Sequence, residues 1–100
     1  MEKQIENKLP QIKKIFSKYG ANKVFLFGSA ATDKFHNDSD VDFLYTFSAD
    51  LDYETYANNY FSLLDELQDL LKKKVDLVAE KTLRNPYLIE SINESKIQLL

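Results

Sequence analysis

Hydrophobic positions along the chain change period several times, and each change marks an element. Leu9, Ile12, Ile15, Phe16 and Tyr19 recur at helical spacing, with Pro10 near the start and Gly20 placed to cap the end. The pattern predicts an amphipathic first helix. Lys23-Val24-Phe25-Leu26-Phe27 is a short apolar run, read as a buried strand that stops abruptly at Gly28-Ser29. Ala30-Ala31-Thr32 predicts a brief helical turn, and residues 33–39 are polar and loop-like. Val41 to Phe47 has the β-branched and aromatic composition of a second strand. Leu51 to Leu71 predicts the longest helix, its apolar stripe running through Tyr53, Tyr56, Tyr60, Leu63, Leu64, Leu67, Leu70 and Leu71. Lys74 to Ala79 predicts a third strand, and Pro86 opens a last helix carrying Leu88, Ile89 and Ile92. The tail from Lys96 to Leu100 is expected to run back along the sheet. These elements predict one α/β (α+β) domain over residues 1–100, a small mixed sheet flanked by helices.

Composition narrows what such a domain does. At 100 residues there is room for one core, and 44% hydrophobic content is enough to fill it. The absence of cysteine excludes a disulfide scaffold and thiolate metal sites. No apolar run approaches the roughly 18 residues that span a bilayer. Met1 to Glu6 reads as charged and helical and carries no apolar signal region, so the expected location is the cytoplasm. With 13 basic and 16 acidic residues the net charge is −3, which argues against strong general binding to nucleic acid. The Lys72-Lys73-Lys74 triplet reads as a solvated helix end.

Three features carry candidate chemistry. Asp40-Val41-Asp42 stands at the opening of a strand, where alternation sends Asp40 and Asp42 to one side and Val41 into the core. Two carboxylates so placed repel unless a cation lies between them, and carboxylate oxygens suit Mg²⁺. Asp76 lies in Lys74-Val75-Asp76-Leu77-Val78, where burial without a partner would be costly. If its strand pairs beside that of Asp42, the three acids can hold one or two Mg²⁺ ions for phosphoryl or nucleotidyl transfer. Gly28-Ser29 lets backbone approach closely, and the turn that follows offers N–H groups to a phosphate beside the Ser29 hydroxyl. His36 and Asp38 read as loop residues, and the tyrosines of the long helix as core or partner-facing.

Gly28-Ser29, ten residues (30 to 39) and Asp40-x-Asp42, flanked by Val24-Phe25-Leu26-Phe27 and Phe43-Leu44, resemble the signature of the DNA polymerase β-like nucleotidyltransferases. Asp76 matches that superfamily's third metal-binding acid by its place on a strand after a long helix, and the likeness spans roughly residues 9 to 80. In length the chain resembles the minimal nucleotidyltransferases (MNT), antitoxins encoded beside HEPN-domain toxins. That resemblance implies transfer of AMP from ATP to a tyrosine of a HEPN ribonuclease, which silences the toxin. It further implies that Asp40, Asp42 and Asp76 bind Mg²⁺, and that Gly28 and Ser29 cradle the β- and γ-phosphates. Many relatives carry an arginine-rich stretch after Gly-Ser, where this chain has Ala30-Ala31-Thr32-Asp33-Lys34. Phosphate binding must therefore lean on backbone donors, the metal or Lys34. The alternative is a binding-only antitoxin that masks its partner stoichiometrically. The two differ in whether the partner gains the mass of AMP.

Overall fold

The computed structural model describes residues 1–48 and 50–100. A short helix α1 (Lys3–Asn7) leads into α2 (Leu9–Lys18), followed by strand β1 (Ala21–Phe27) and a 3₁₀ turn (Gly28–Ala31). Strand β2 (Val41–Phe47), the long helix α3 (Tyr53–Leu71) and strand β3 (Val75–Ala79) come next. A 3₁₀ turn (Glu80–Thr82), helix α4 (Pro86–Ser95) and strand β4 (Ile97–Gln98) complete the chain.

The four strands form one mixed sheet in the order β3-β2-β1-β4. β1 pairs antiparallel with β2 on one side and with β4 on the other, so the tail does return along the sheet. β2 and β3 are parallel, which requires a crossover, and α3 supplies it. Side chains alternate along β2. Val41, Phe43 and Tyr45 join a large core with Ile12 and Phe16 of α2 and Leu63 and Leu67 of α3. Leu44 points the other way and meets Phe27 and Ile92 of α4 in a smaller cluster. One face of the sheet is therefore packed under two helices, whereas α4 covers only part of the other.

Local signals explain most boundaries. Asp52 caps α3 by accepting the Thr55 N–H at 2.7 Å, so the helix begins at Tyr53, two residues later than the apolar pattern predicts. Asn85 caps α4 in the same way, ahead of Pro86. One expectation needs correction: Tyr53 is 90% exposed and leaves the α3 stripe, since at the first helical position it projects to solvent while Tyr56 takes the contact with the sheet. Tyr56 and Tyr60 do pack against the core, and the Tyr56 and Tyr45 hydroxyls lie 2.9 Å apart. These two tyrosines are structural.

α3 ends without a glycine: Lys72 takes the left-handed conformation with φ 55°. A side chain there is strained by roughly 1 kcal/mol. Lys72→Gly is therefore expected to raise stability by about 0.5–1 kcal/mol, measured by chemical denaturation.

Candidate active site

Parallel pairing fixes the site. The Val41 N–H donates to the Lys74 carbonyl at 3.0 Å, and the register that follows places Asp42 opposite Asp76. Directly paired residues of neighbouring strands project to the same face, so two acids 34 positions apart in the chain stand side by side. Phe27, the last residue of β1, pairs with Asp42 from the other side. Gly28 follows immediately, and the Gly-Ser turn thus begins at the Asp42 carboxylate. All of this lies on the face that α4 covers only in part.

Gly28 shows why its side chain is missing. Its φ is +74°, and a Cβ there would collide with Asp42 Oδ2 and lie 3.4 Å from Asp42 Cγ. Both the conformation and the close approach require glycine. Gly28→Ala is expected to cost roughly 1–3 kcal/mol through strain and to push the Asp42 carboxylate aside. Thermal denaturation beside a nucleotide-transfer assay would show both losses.

The loop from Thr32 to Ser39 is held by its own short bonds. Thr32 Oγ1 donates to the Ser29 carbonyl at 3.1 Å, and the His36 N–H donates to Ser39 Oγ at 3.0 Å. His36 Nδ1 accepts the Asp38 N–H at 3.2 Å, so both residues organise the loop. Phe35 tucks against the main core, and Lys73 Nζ donates to the Asn37 carbonyl. The loop thereby delivers Asp40 to the head of β2 in a set position.

Burial separates the three acids. Asp40 and Asp42 are half-buried, and Asp76 is exposed. Asp42 is pushed up to about 6 from an ordinary 3.8, first by burial, then by the neighbouring Asp76 carboxylate, and last by the charge of Asp40. Among the described residues, no three acidic or histidine side chains close into a complete cation cage. Asp42 and Asp76 meet, and Asp40 bears on Asp42 through its charge. That arrangement fits Mg²⁺, which is usually held by one or two carboxylates and completes its shell with water and substrate phosphates.

A pH dependence follows. The folded protein holds the Asp42 proton more tightly than the unfolded chain does, so the metal-free domain should lose stability as pH rises from about 4 through about 6. A Mg²⁺ ion held at the ionised carboxylate would offset that loss, with a larger gain in melting temperature at pH 7.5 than at pH 5. Equal gains at both pH values, measured against EDTA, would remove Asp42 from the metal site.

Sequence reasoning missed one contributor. The Gly28 N–H donates to Ser95 Oγ at 3.1 Å, so the end of α4 reaches the Gly-Ser turn. A serine 67 positions away carries no local signal of that contact.

Comparison with known proteins agrees with this fold. The family model described as polymerase beta, nucleotidyltransferase matches residues 10–100. A protein of Methanocaldococcus jannaschii named for protein adenylyltransferase activity is 39% identical over 95 residues, covering 94% of this chain and 93% of that protein. A solved structure described as a minimal nucleotidyltransferase is 28% identical with a TM-score of 0.71, covering 97% of this chain and 95% of that one. A structure of a tri-AMPylated HEPN toxin of Shewanella oneidensis in complex with an MNT antitoxin holds a chain of the same fold. Its TM-score is 0.66 at 21% identity, covering 95% of this chain and 71% of that one. The chain belongs to the polymerase β-type nucleotidyltransferases.

Proposed function

We propose that this chain is a cytoplasmic antitoxin that transfers AMP from Mg·ATP to a tyrosine hydroxyl of a HEPN-type ribonuclease and so inactivates it. The observation carrying this reading is the Asp42–Asp76 register pair with Gly28 pressed against Asp42. It sets a carboxylate pair beside a turn suited to phosphate, as a metal-bound triphosphate needs. Relatives named for protein adenylyltransferase activity and a neighbour holding an AMPylated HEPN toxin support the choice of acceptor class.

Asp40, Asp42 and Asp76 would hold one or two Mg²⁺ ions, which when bound neutralise charge on the phosphates and polarise the α-phosphorus. Gly28 and Ser29 cradle the β- and γ-phosphates, Gly28 by giving the backbone room and Ser29 through its hydroxyl and N–H. The half-buried Asp42 faces the nucleotide behind Gly28. Exposed Asp76 stands on the open side, where an acceptor can arrive. There it orients the tyrosine hydroxyl and takes its proton. The tyrosine oxygen forms a bond to the α-phosphorus as the bond between that phosphorus and the bridging α–β oxygen breaks. Pyrophosphate departs with the electron pair, and Asp76 later passes the proton to water.

The test is incubation with a HEPN-type partner, ATP and Mg²⁺, followed by intact mass and peptide mapping. One AMP mass per modified tyrosine is expected, at substoichiometric amounts of this chain. Inhibition of the partner only at equimolar ratio, with no added mass, would replace this reading with simple masking.

A further inference from the structure

We infer that Ser95, the last residue of α4, is a positioning residue of the nucleotide site, fixing the Gly28–Ser29 turn against Asp42. The inference rests on the reading of that turn as the phosphate cradle. Ser95 Oγ donates its single proton to the Ser91 carbonyl one helical turn back, at 3.3 Å. Only its lone pairs then remain for Gly28, whose N–H donates to the same oxygen at 3.1 Å. The helix thus sets the polarity of the contact: a hydroxyl whose proton is already committed can meet the turn only as an acceptor.

Gly28 is pinned from two directions. Ser95 holds its N–H, and its α-carbon leans on the Asp42 carboxylate so closely that no Cβ fits. Ile92, three residues before Ser95, is 1% exposed and anchors α4 against Phe27 and Leu44, the neighbours of Gly28 and Asp42 on the sheet. The position of Ser95 is therefore inherited from core packing and passed to the turn through one hydrogen bond. Between turn and helix lies a groove of about 360 Å³, with Ser29, Thr32 and Lys34 on one wall and Ser91 and Ser95 on the other. Because Ser95 takes the Gly28 N–H, a phosphate must be met by other donors such as the Ser29 hydroxyl, and the placement of Ser29 depends on how firmly Gly28 is held. This assigns α4 a part in nucleotide binding that its sequence, remote from the Gly-Ser and Asp-x-Asp segments, does not announce.

The experiment compares the full chain with Ser95→Ala and Ser95→Thr. In Ser95→Ala without nucleotide, exchange of the Gly28 amide proton, followed by NMR, should quicken roughly three- to tenfold, the factor expected for loss of one hydrogen bond. Affinity for the non-hydrolysable analogue AMP-PNP with Mg²⁺, by calorimetry, should fall by a similar factor. The melting temperature should fall by no more than about 3–11 °C, the shift that the loss of one hydrogen bond brings in a domain of this length, since Ile92 still anchors the helix. Ser95→Thr keeps the oxygen and should restore both slow exchange and affinity. Unchanged Gly28 exchange in Ser95→Ala overturns the inference, as does an affinity loss of equal size in Ser95→Thr. A wild-type chain that does not bind AMP-PNP overturns both this inference and the proposed function. Binding that depends on Ser95, in a chain that transfers nothing, sinks the transfer reading and leaves the role of Ser95 standing.

Discussion

Asp42→Asn is expected to abolish nucleotide transfer, by roughly a thousandfold or more, while leaving the domain folded. The amide keeps the size of the carboxylate and can sit in the same place behind Gly28. It cannot carry the negative charge by which Asp42 is proposed to hold a divalent cation. The second half of the prediction separates a site residue from a structural one. Burial, and then the neighbouring Asp76 and Asp40 carboxylates, push the Asp42 carboxyl up to about 6, so near neutral pH its ionised form strains the metal-free protein. Asn removes that strain. In EDTA at pH 7.5 the variant should melt at or above the temperature of the unmodified protein, and it should lose the stabilisation by Mg²⁺. Asp40→Asn should likewise abolish transfer with the fold intact. Transfer of label from α-labelled ATP by either variant would refute these assignments, and a large drop in melting temperature of Asp42→Asn would make the carboxylate a structural group.

Phe16→Ala is expected to destabilise the domain by about 3–5 kcal/mol, enough to unfold much of it at 37 °C. Phe16 is fully buried on α2 and meets Phe43 of β2 edge to face, with ring centroids 5.1 Å apart. Removing the ring leaves a cavity between helix and sheet under the strand that carries Asp42. Ile12 and Leu67 belong to the same buried cluster, and close packing limits how far such a core can collapse into the space. Urea denaturation gives the number directly. A loss below about 1 kcal/mol would mean that α2 is not a principal support of the sheet.

These two residues also mark what was legible from the chain. Phe16 was placed in the core by helical spacing alone. The strand from Val41 to Phe47 and the alternation that turns Val41 away from Asp42 follow from local composition, and the structure has the same bounds. Local rules were weaker where an element meets solvent. Tyr53 matches the spacing of the α3 stripe, yet the helix starts there and it is Tyr56, later in the same turn, that meets Tyr45 and Phe47 of the sheet. Lys72 ends α3 in a conformation that usually calls for glycine, so no terminator was visible. The segment from Met1 to Glu6 does read as charged and helical, and α1 stands over Lys3–Asn7, whereas the early start of β1 at Ala21 carries no strong signal.

By itself the sequence determined the periods of the elements, the Gly28-Ser29 stop and the place of Asp42 on the strand face opposite Val41, while Asp40 stands just ahead of that strand. Each depends on residues a few positions apart, within reach of backbone geometry and side-chain alternation. Only the tertiary structure decided that Asp76 stands opposite Asp42, that Gly28 has no room for a Cβ, and that Ser95 closes on the turn. Those contacts join segments up to 67 positions apart, and they depend on strand register and on where a helix docks. Register and docking are set by how whole faces pack together, which the spacing of residues along one segment does not encode.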